Sequence, residues 1–142
     1  MKVKEVMNTH PITIGPEESA AVAARILSRG NIGFLPVCTA EGCLSGVVTD
    51  RDLVLRCVAA QKQPDETAVK TLMSSRLVSV DAEADIREAA QKLAKEQLRR
   101  LPVTQNGKLV GVVSVGDLLQ TPEYRMEAAD CMGAIVKNVR KG

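Results

Sequence analysis

Gly46-Val47-Val48-Thr49-Asp50-Arg51-Asp52-Leu53 and Gly111-Val112-Val113-Ser114-Val115-Gly116-Asp117-Leu118 are two copies of one pattern. Each runs from a short apolar strand, through a hydroxyl residue suited to cap a helix, to an aspartate in that helix's first turn. A hydroxyl and a carboxylate one turn apart, beside backbone N–H groups, suit a ribose-phosphate. The N–H groups and hydroxyl meet phosphate oxygens, and the carboxylate accepts from sugar hydroxyls. The same residues also make a plain capping box, so a single copy would favour architecture over binding.

Working outward, the flanks repeat as well. Met7 and Met73 are 66 positions apart, as are Pro36 and Pro102, whereas Gly46 and Gly111 are 65 apart. The turn between Pro and Gly is therefore one residue shorter in the second copy. The first copy reads as a lead-in around Val6 and Met7, a strand over 11–14, and a helix from Glu17 to Arg29 closed by Gly30. A hairpin of 32–38 with 43–48 and a helix over 50–60 complete it. The second repeats the order as 69–73, 77–80, 85–97, and a hairpin of 101–104 with 109–113 across Asn106-Gly107, a strong turn signal. The polar run 61–66 links them, and Thr121-Pro122-Glu123 opens a further helix, with Gly133 as a candidate break. The expected domains are 1–62, 63–121 and a helical extension over 122–142. Strands joined by amphipathic helices imply two small α/β units.

Composition narrows the class. In 142 residues, 45% hydrophobic, there is one Phe, one Tyr and no Trp, so the core is aliphatic. Halves of about 60 residues are marginal alone and are expected to bury their sheets against each other. No run approaches the roughly 18 apolar residues of a membrane span, and no signal-like core follows Met1, so a cytoplasmic protein without membrane attachment is expected. A net charge of +2 gives no nucleic-acid footprint. Cys38, Cys43, Cys57 and Cys131 lack metal-site spacing and read as free thiols, the alternative being a cross-strand pairing or redox role for Cys38 and Cys43, which flank the first hairpin turn; with His10 the only histidine and no Walker loop, neither a metal centre nor an enzyme is expected.

Two units of Met, strand, amphipathic helix, Leu-Pro-Val, a Gly turn and Gly-hydrophobic-hydrophobic-Ser/Thr-x-x-Asp resemble a tandem pair of cystathionine-beta-synthase (CBS) domains, a Bateman module. The resemblance covers about Val3 to Leu119. It implies an α/β (α+β) fold of two β-α-β-β-α units packed sheet to sheet with pseudo-twofold symmetry, plus the C-terminal helix. It also implies a stand-alone regulatory module without catalysis. Such a module needs no cofactor and binds an adenosine nucleotide (AMP, ADP or ATP, with S-adenosylmethionine a further candidate) in clefts between the repeats. A homodimer through faces bearing Ala23, Leu27, Leu53 and Val58 would pass the signal to a partner protein. The alternative is an interaction module with empty clefts.

The candidate ligand contacts follow from the motif. Thr49 with Asp52, and Ser114 with Asp117, head the set. Before Leu101-Pro102-Val103 stand Arg99 and Arg100, where the first copy has Gly33 and Phe34; the arginines resemble the phosphate contacts of the regulatory subunit of AMP-activated kinase, and otherwise are solvated helix ends. Arg51 either approaches a phosphate or pairs with Asp50. Thr13 and Ser79 either contact base or sugar or face solvent. Ile32, Phe34 and Leu101, with Pro102 beside the last, would form an apolar slot for a purine. The two clefts are expected to differ, with Ser114, Asp117 and Arg100 holding phosphate more tightly.

Overall fold

In a computed structural model that describes residues 1–74 and 76–141, the last four by backbone alone, the chain forms two units. Unit I is Ile12–Leu77, and unit II is Met1–Pro11 with Val78–Gly142. Gly142, the end of the expected extension, lies outside the described residues.

Each unit takes its opening turn from the other repeat. The turn Val3–Glu5 belongs to unit II, where Val3 N donates to Ala84 O at 2.8 Å and Asn8 exchanges backbone bonds with Val112. The turn Val69–Thr71 belongs to unit I, where Val69 N donates to Glu18 O at 2.8 Å and Ser74 pairs with Val47. Val3 and Val69 are fully buried there. This exchange explains the repeated Met and Gly. A side chain at Gly46 would lie 2.7 Å from Ser74 O and 2.8 Å from Met73 Sδ, and one at Gly111 would lie 2.6 Å from Met7 Sδ and 2.7 Å from Asn8 O. Only glycine admits so close a strand.

Unit I contains α1 (Ala20–Gly30), β1 (Phe34–Cys38), β2 (Leu44–Thr49) and α2 (Asp50–Leu53), which continues as a π-helical turn, Val54–Val58. β1 and β2 are antiparallel, and Ile14 bridges Val37 in parallel. Unit II contains β3 (Val80–Asp81), α3 (Ile86–Glu96), β4 (Arg100–Gln105), β5 (Lys108–Ser114), α4 (Val115–Gln120) and α5 (Arg125–Lys141), with β3 parallel to β4 and β5 antiparallel to it. Residues 39–43 turn the first hairpin and 105–108 the second, one fewer, between equivalent bulges. Asn106 and Gly107 both have positive φ, as the tight Asn-Gly turn requires.

The cores are aliphatic apart from Tyr124, as the composition demands. Leu27, Leu35, Val37, Val48, Val69 and Leu72 dominate unit I; Ile86, Leu93, Leu101, Val103, Leu118 and Tyr124 dominate unit II. α5 joins the latter core through Ala128, Cys131 and Ile135 at helical spacing.

Several expected elements come out differently. The strand over 11–14 is reduced to the single bridge at Ile14, and that over 77–80 to Val80–Asp81, because only these residues pair with β1 and β4. α1 starts after Ser19, whose Oγ accepts from Val22 N at 3.2 Å, since Pro16 O and Glu18 O are already bonded to Lys70 N and Val69 N. The left-handed residue closing α1 is Asn31 (φ 50°), not Gly30. The helix over 50–60 loosens at Ala59 N→Val54 O, a π-type bond. Gly133 does not interrupt α5. Ala23, Leu27 and Leu53 are buried within unit I, so of the expected dimer-face residues only Val58 is exposed.

Candidate functional site

The repeated motif builds the same corner twice. In unit I, Thr49 ends β2 in extended conformation and caps α2: its Oγ1 accepts from Asp52 N at 3.1 Å, and its own N donates to Asp52 Oδ2 at 2.9 Å. In unit II, Ser114 Oγ accepts from Asp117 N at 3.1 Å, and Ser114 N donates to Asp117 Oδ2 at 2.8 Å. Each box satisfies two otherwise unpaired N–H groups and contributes about 1 kcal/mol. One oxygen of each carboxylate is thereby engaged. Asp52 Oδ1 sits 4.0 Å from Arg56 Nε, whereas among the described residues nothing donates to Asp117 Oδ1.

Strand register decides what stands beside each corner. Phe34 is opposite Thr49, and Arg100 is opposite Ser114, so each pair shares a sheet face. One residue earlier, Gly33 O accepts from Asp50 N at 3.2 Å and Arg99 O accepts from Val115 N at 2.9 Å. Arg99 and Arg100 are exposed, and among the described residues no carboxylate pairs with either. Arg51 is also exposed; its backbone N–H, not its guanidinium, meets Asp50, donating to Oδ1 at 2.8 Å.

Unit I thus gathers Phe34, Thr49, Arg51 and Asp52, and unit II gathers Arg99, Arg100, Ser114 and Asp117. Leu101 is completely buried in the unit II core and Pro102 is buried beside it, so neither side chain offers a surface for a purine here. Ile32 packs partly against the unit I core. Thr13 is exposed beside Ile14, and the carbonyl of half-buried Ser79 accepts from Lys92 Nζ at 2.7 Å.

Asp50 was not among the candidates. Its carboxylate lies over Gly33, where an added Cβ would come 3.1 Å from Oδ2. The signal for it was the simultaneous loss of a side chain at 33 and gain of an acid at 50 relative to Arg99 and Val115.

The thiols lie elsewhere. Cys57 and Cys131 are buried and Cys38 and Cys43 half-buried, all four free. Burial pushes the Cys38 thiol above its ordinary range, with Cys43 adding to the effect. Among the described residues no three His, Cys, Asp or Glu side chains gather as a metal site, and no helix is long and apolar enough to cross a membrane.

A family model described as the CBS domain matches residues 3–58 and 69–123. The CBS domain-containing protein YhcV of Bacillus subtilis is 39% identical over 116 residues, 82% of this chain and 81% of its own. The crystal structure of Hypoxic Response Protein I with two coordinated zinc ions matches at TM-score 0.79 and 32% identity, covering 84% of this chain and 98% of that one. The CBS domain pair of protein MJ0100, in complex with 5-methylthioadenosine and S-adenosyl-L-methionine, matches at TM-score 0.75 and 25% identity over 88% of this chain and 98% of that one.

Proposed function

The chain belongs to the CBS domain family as a tandem pair, and from that premise we propose that it is a regulatory module, not an enzyme, that binds adenosine-containing ligands of the AMP, ADP or ATP kind. One observation carries the reading: the hydroxyl–carboxylate corner is built twice with the same geometry, at Thr49/Asp52 and Ser114/Asp117. The adenosine compounds bound by the MJ0100 pair support it. In this reading the ligand is held at the two corners. Each aspartate meets a ribose, Arg99, Arg100 and Arg51 serve phosphates, and Phe34, Thr13 and Ser79 touch base or sugar. Binding shifts repeat packing, and a second copy of the chain relays the shift to a partner protein. The exposed apolar run Val54, Leu55 and Val58 is the surface for that second copy.

The capping boxes also favour a second reading, an interaction module whose acids are purely architectural, because each carboxylate already accepts from its own cap. Isothermal titration with AMP, ADP, ATP and S-adenosylmethionine, beside an Asp52→Ala/Asp117→Ala variant, separates the two. Saturable binding that the folded variant loses is the expected result. No heat from any ligand, and no ligand-dependent rise in melting temperature, selects the second reading.

A further inference from the structure

The two corners share a backbone and differ in charge. At unit II, Arg99 and Arg100 stand against one carboxylate, Asp117, an excess of positive charge; at unit I, Asp50 and Asp52 are balanced by Arg51 and by Arg56, whose Nε lies 4.0 Å from Asp52 Oδ1. The difference is positional. Where unit II carries the Arg99 side chain, unit I has Gly33 with the Asp50 carboxylate laid over it, and where unit II carries Arg100, unit I presents the half-buried ring of Phe34. A doubly charged phosphate is attracted to the first arrangement, where exposed guanidinium forks have no carboxylate partner among the described residues. The second arrangement lacks that attraction, because a carboxylate occupies the place of the cation. What the unit I corner offers instead is an aromatic face, on which a purine stacks without regard to charge.

We infer that the two corners take different classes of adenosine ligand: unit II a phosphorylated nucleotide through Arg99 and Arg100, and unit I a phosphate-free adenosine derivative, uncharged or cationic at its 5′ end, stacked on Phe34. This rests on the adenosine-binding reading above and assigns a ligand class to each of its two sites.

The test uses the full chain and two probes, AMP and 5′-methylthioadenosine, titrated into wild type, Arg100→Ala and Phe34→Ala. Arg100→Ala should weaken AMP at least about tenfold, the worth of a charge-assisted hydrogen bond, and leave methylthioadenosine within about twofold. Phe34→Ala should do the reverse, weakening methylthioadenosine about fivefold or more. Saturating AMP should leave the methylthioadenosine isotherm in place, because the sites are separate. Phe34→Leu keeps the test open should the alanine variant melt early. Competition between the probes for one site, or equal losses of both ligands in either variant, overturns the assignment while leaving adenosine binding intact. If neither probe nor ATP binds the wild type, the underlying reading falls and the assignment with it.

Discussion

Units I and II hold their frames with the same contacts and decorate them with different charges. Leu35 and Leu101 fill equivalent core positions, Gly46 and Gly111 admit equivalent lead-ins, and Thr49 and Ser114 cap equivalent helices. Yet Gly33, Phe34 and Asp50 in one unit correspond to Arg99, Arg100 and Val115 in the other. The difference teaches that the fold constrains only positions touching backbone or core. Exposed positions at the end of a strand are free to carry either sign without disturbing the ladder. The exchanged lead-ins add that neither repeat is complete alone, since each glycine strand is closed by residues numbered within the other copy.

If the frames are equal, damage to either should cost the same. Leu35→Ala and Leu101→Ala each empty a fully buried site and should lower stability by about 2–5 kcal/mol, matching each other to within about 1 kcal/mol in urea denaturation. A large disparity would break the comparison, showing that one core collapses around its cavity and the other does not. Next in size, Gly46→Ala and Gly111→Ala should each lose about 1–3 kcal/mol, because a carbonyl oxygen, Ser74 O or Asn8 O, stands 2.7 Å from the new carbon and cannot rotate away as the methionine can. Gly116→Ala is the control, since its nearest neighbour, Ser114 Oγ, is 3.5 Å away. It should be neutral or slightly stabilising by thermal melting.

Much of this was legible in the residues. Two copies of Gly-hydrophobic-hydrophobic-Ser/Thr-x-x-Asp located both corners, and the 65-against-66 spacing located the shorter turn, because capping boxes and Asn-Gly turns are set by local chemistry. The lead-in exchange was not legible. Val3 and Val69 have the same neighbours in sequence whichever repeat they join, and only the tertiary bonds to Ala84 and Glu18 decide. Helix edges also escaped local reading: Glu17 and Glu18 look like a first turn, but their stretch of backbone is occupied by pairing to residues 67–70. In α5, the apolar Met126 and Val136 are exposed, while Ala128, Cys131 and Ile135 make the contact, so the helix's register on the core, not the apolar character of a single residue, decides what is covered.

The lead-in clamps themselves offer the finest test of the comparison, because they differ by one lysine. In unit II, Lys2 Nζ and Lys4 Nζ each lie 2.6 Å from an oxygen of Glu83; in unit I, Glu17 has among the described residues Lys70 alone, at 2.9 Å, since Ala68 stands where Lys2 would. The hydrogen bonds from Lys2 and then Lys4 hold the Glu83 carboxyl at about 2, below its ordinary 4.5. A carboxyl whose pKa is lower folded than unfolded stabilises the fold above about pH 4.5, and that contribution drains away as pH falls toward about 2. Melting temperatures of wild type and Glu83→Gln should therefore differ at pH 6 and converge near pH 2. Glu17→Gln should open a smaller gap, having one ion pair to lose. Both gaps should shrink in 1 M salt, because these side chains are exposed and screened. A Glu83 gap that stayed constant from pH 6 to 2 would mean that the two lysines do not hold that carboxylate in solution, and that the N-terminal turn is fastened by Val3 and its backbone bonds alone.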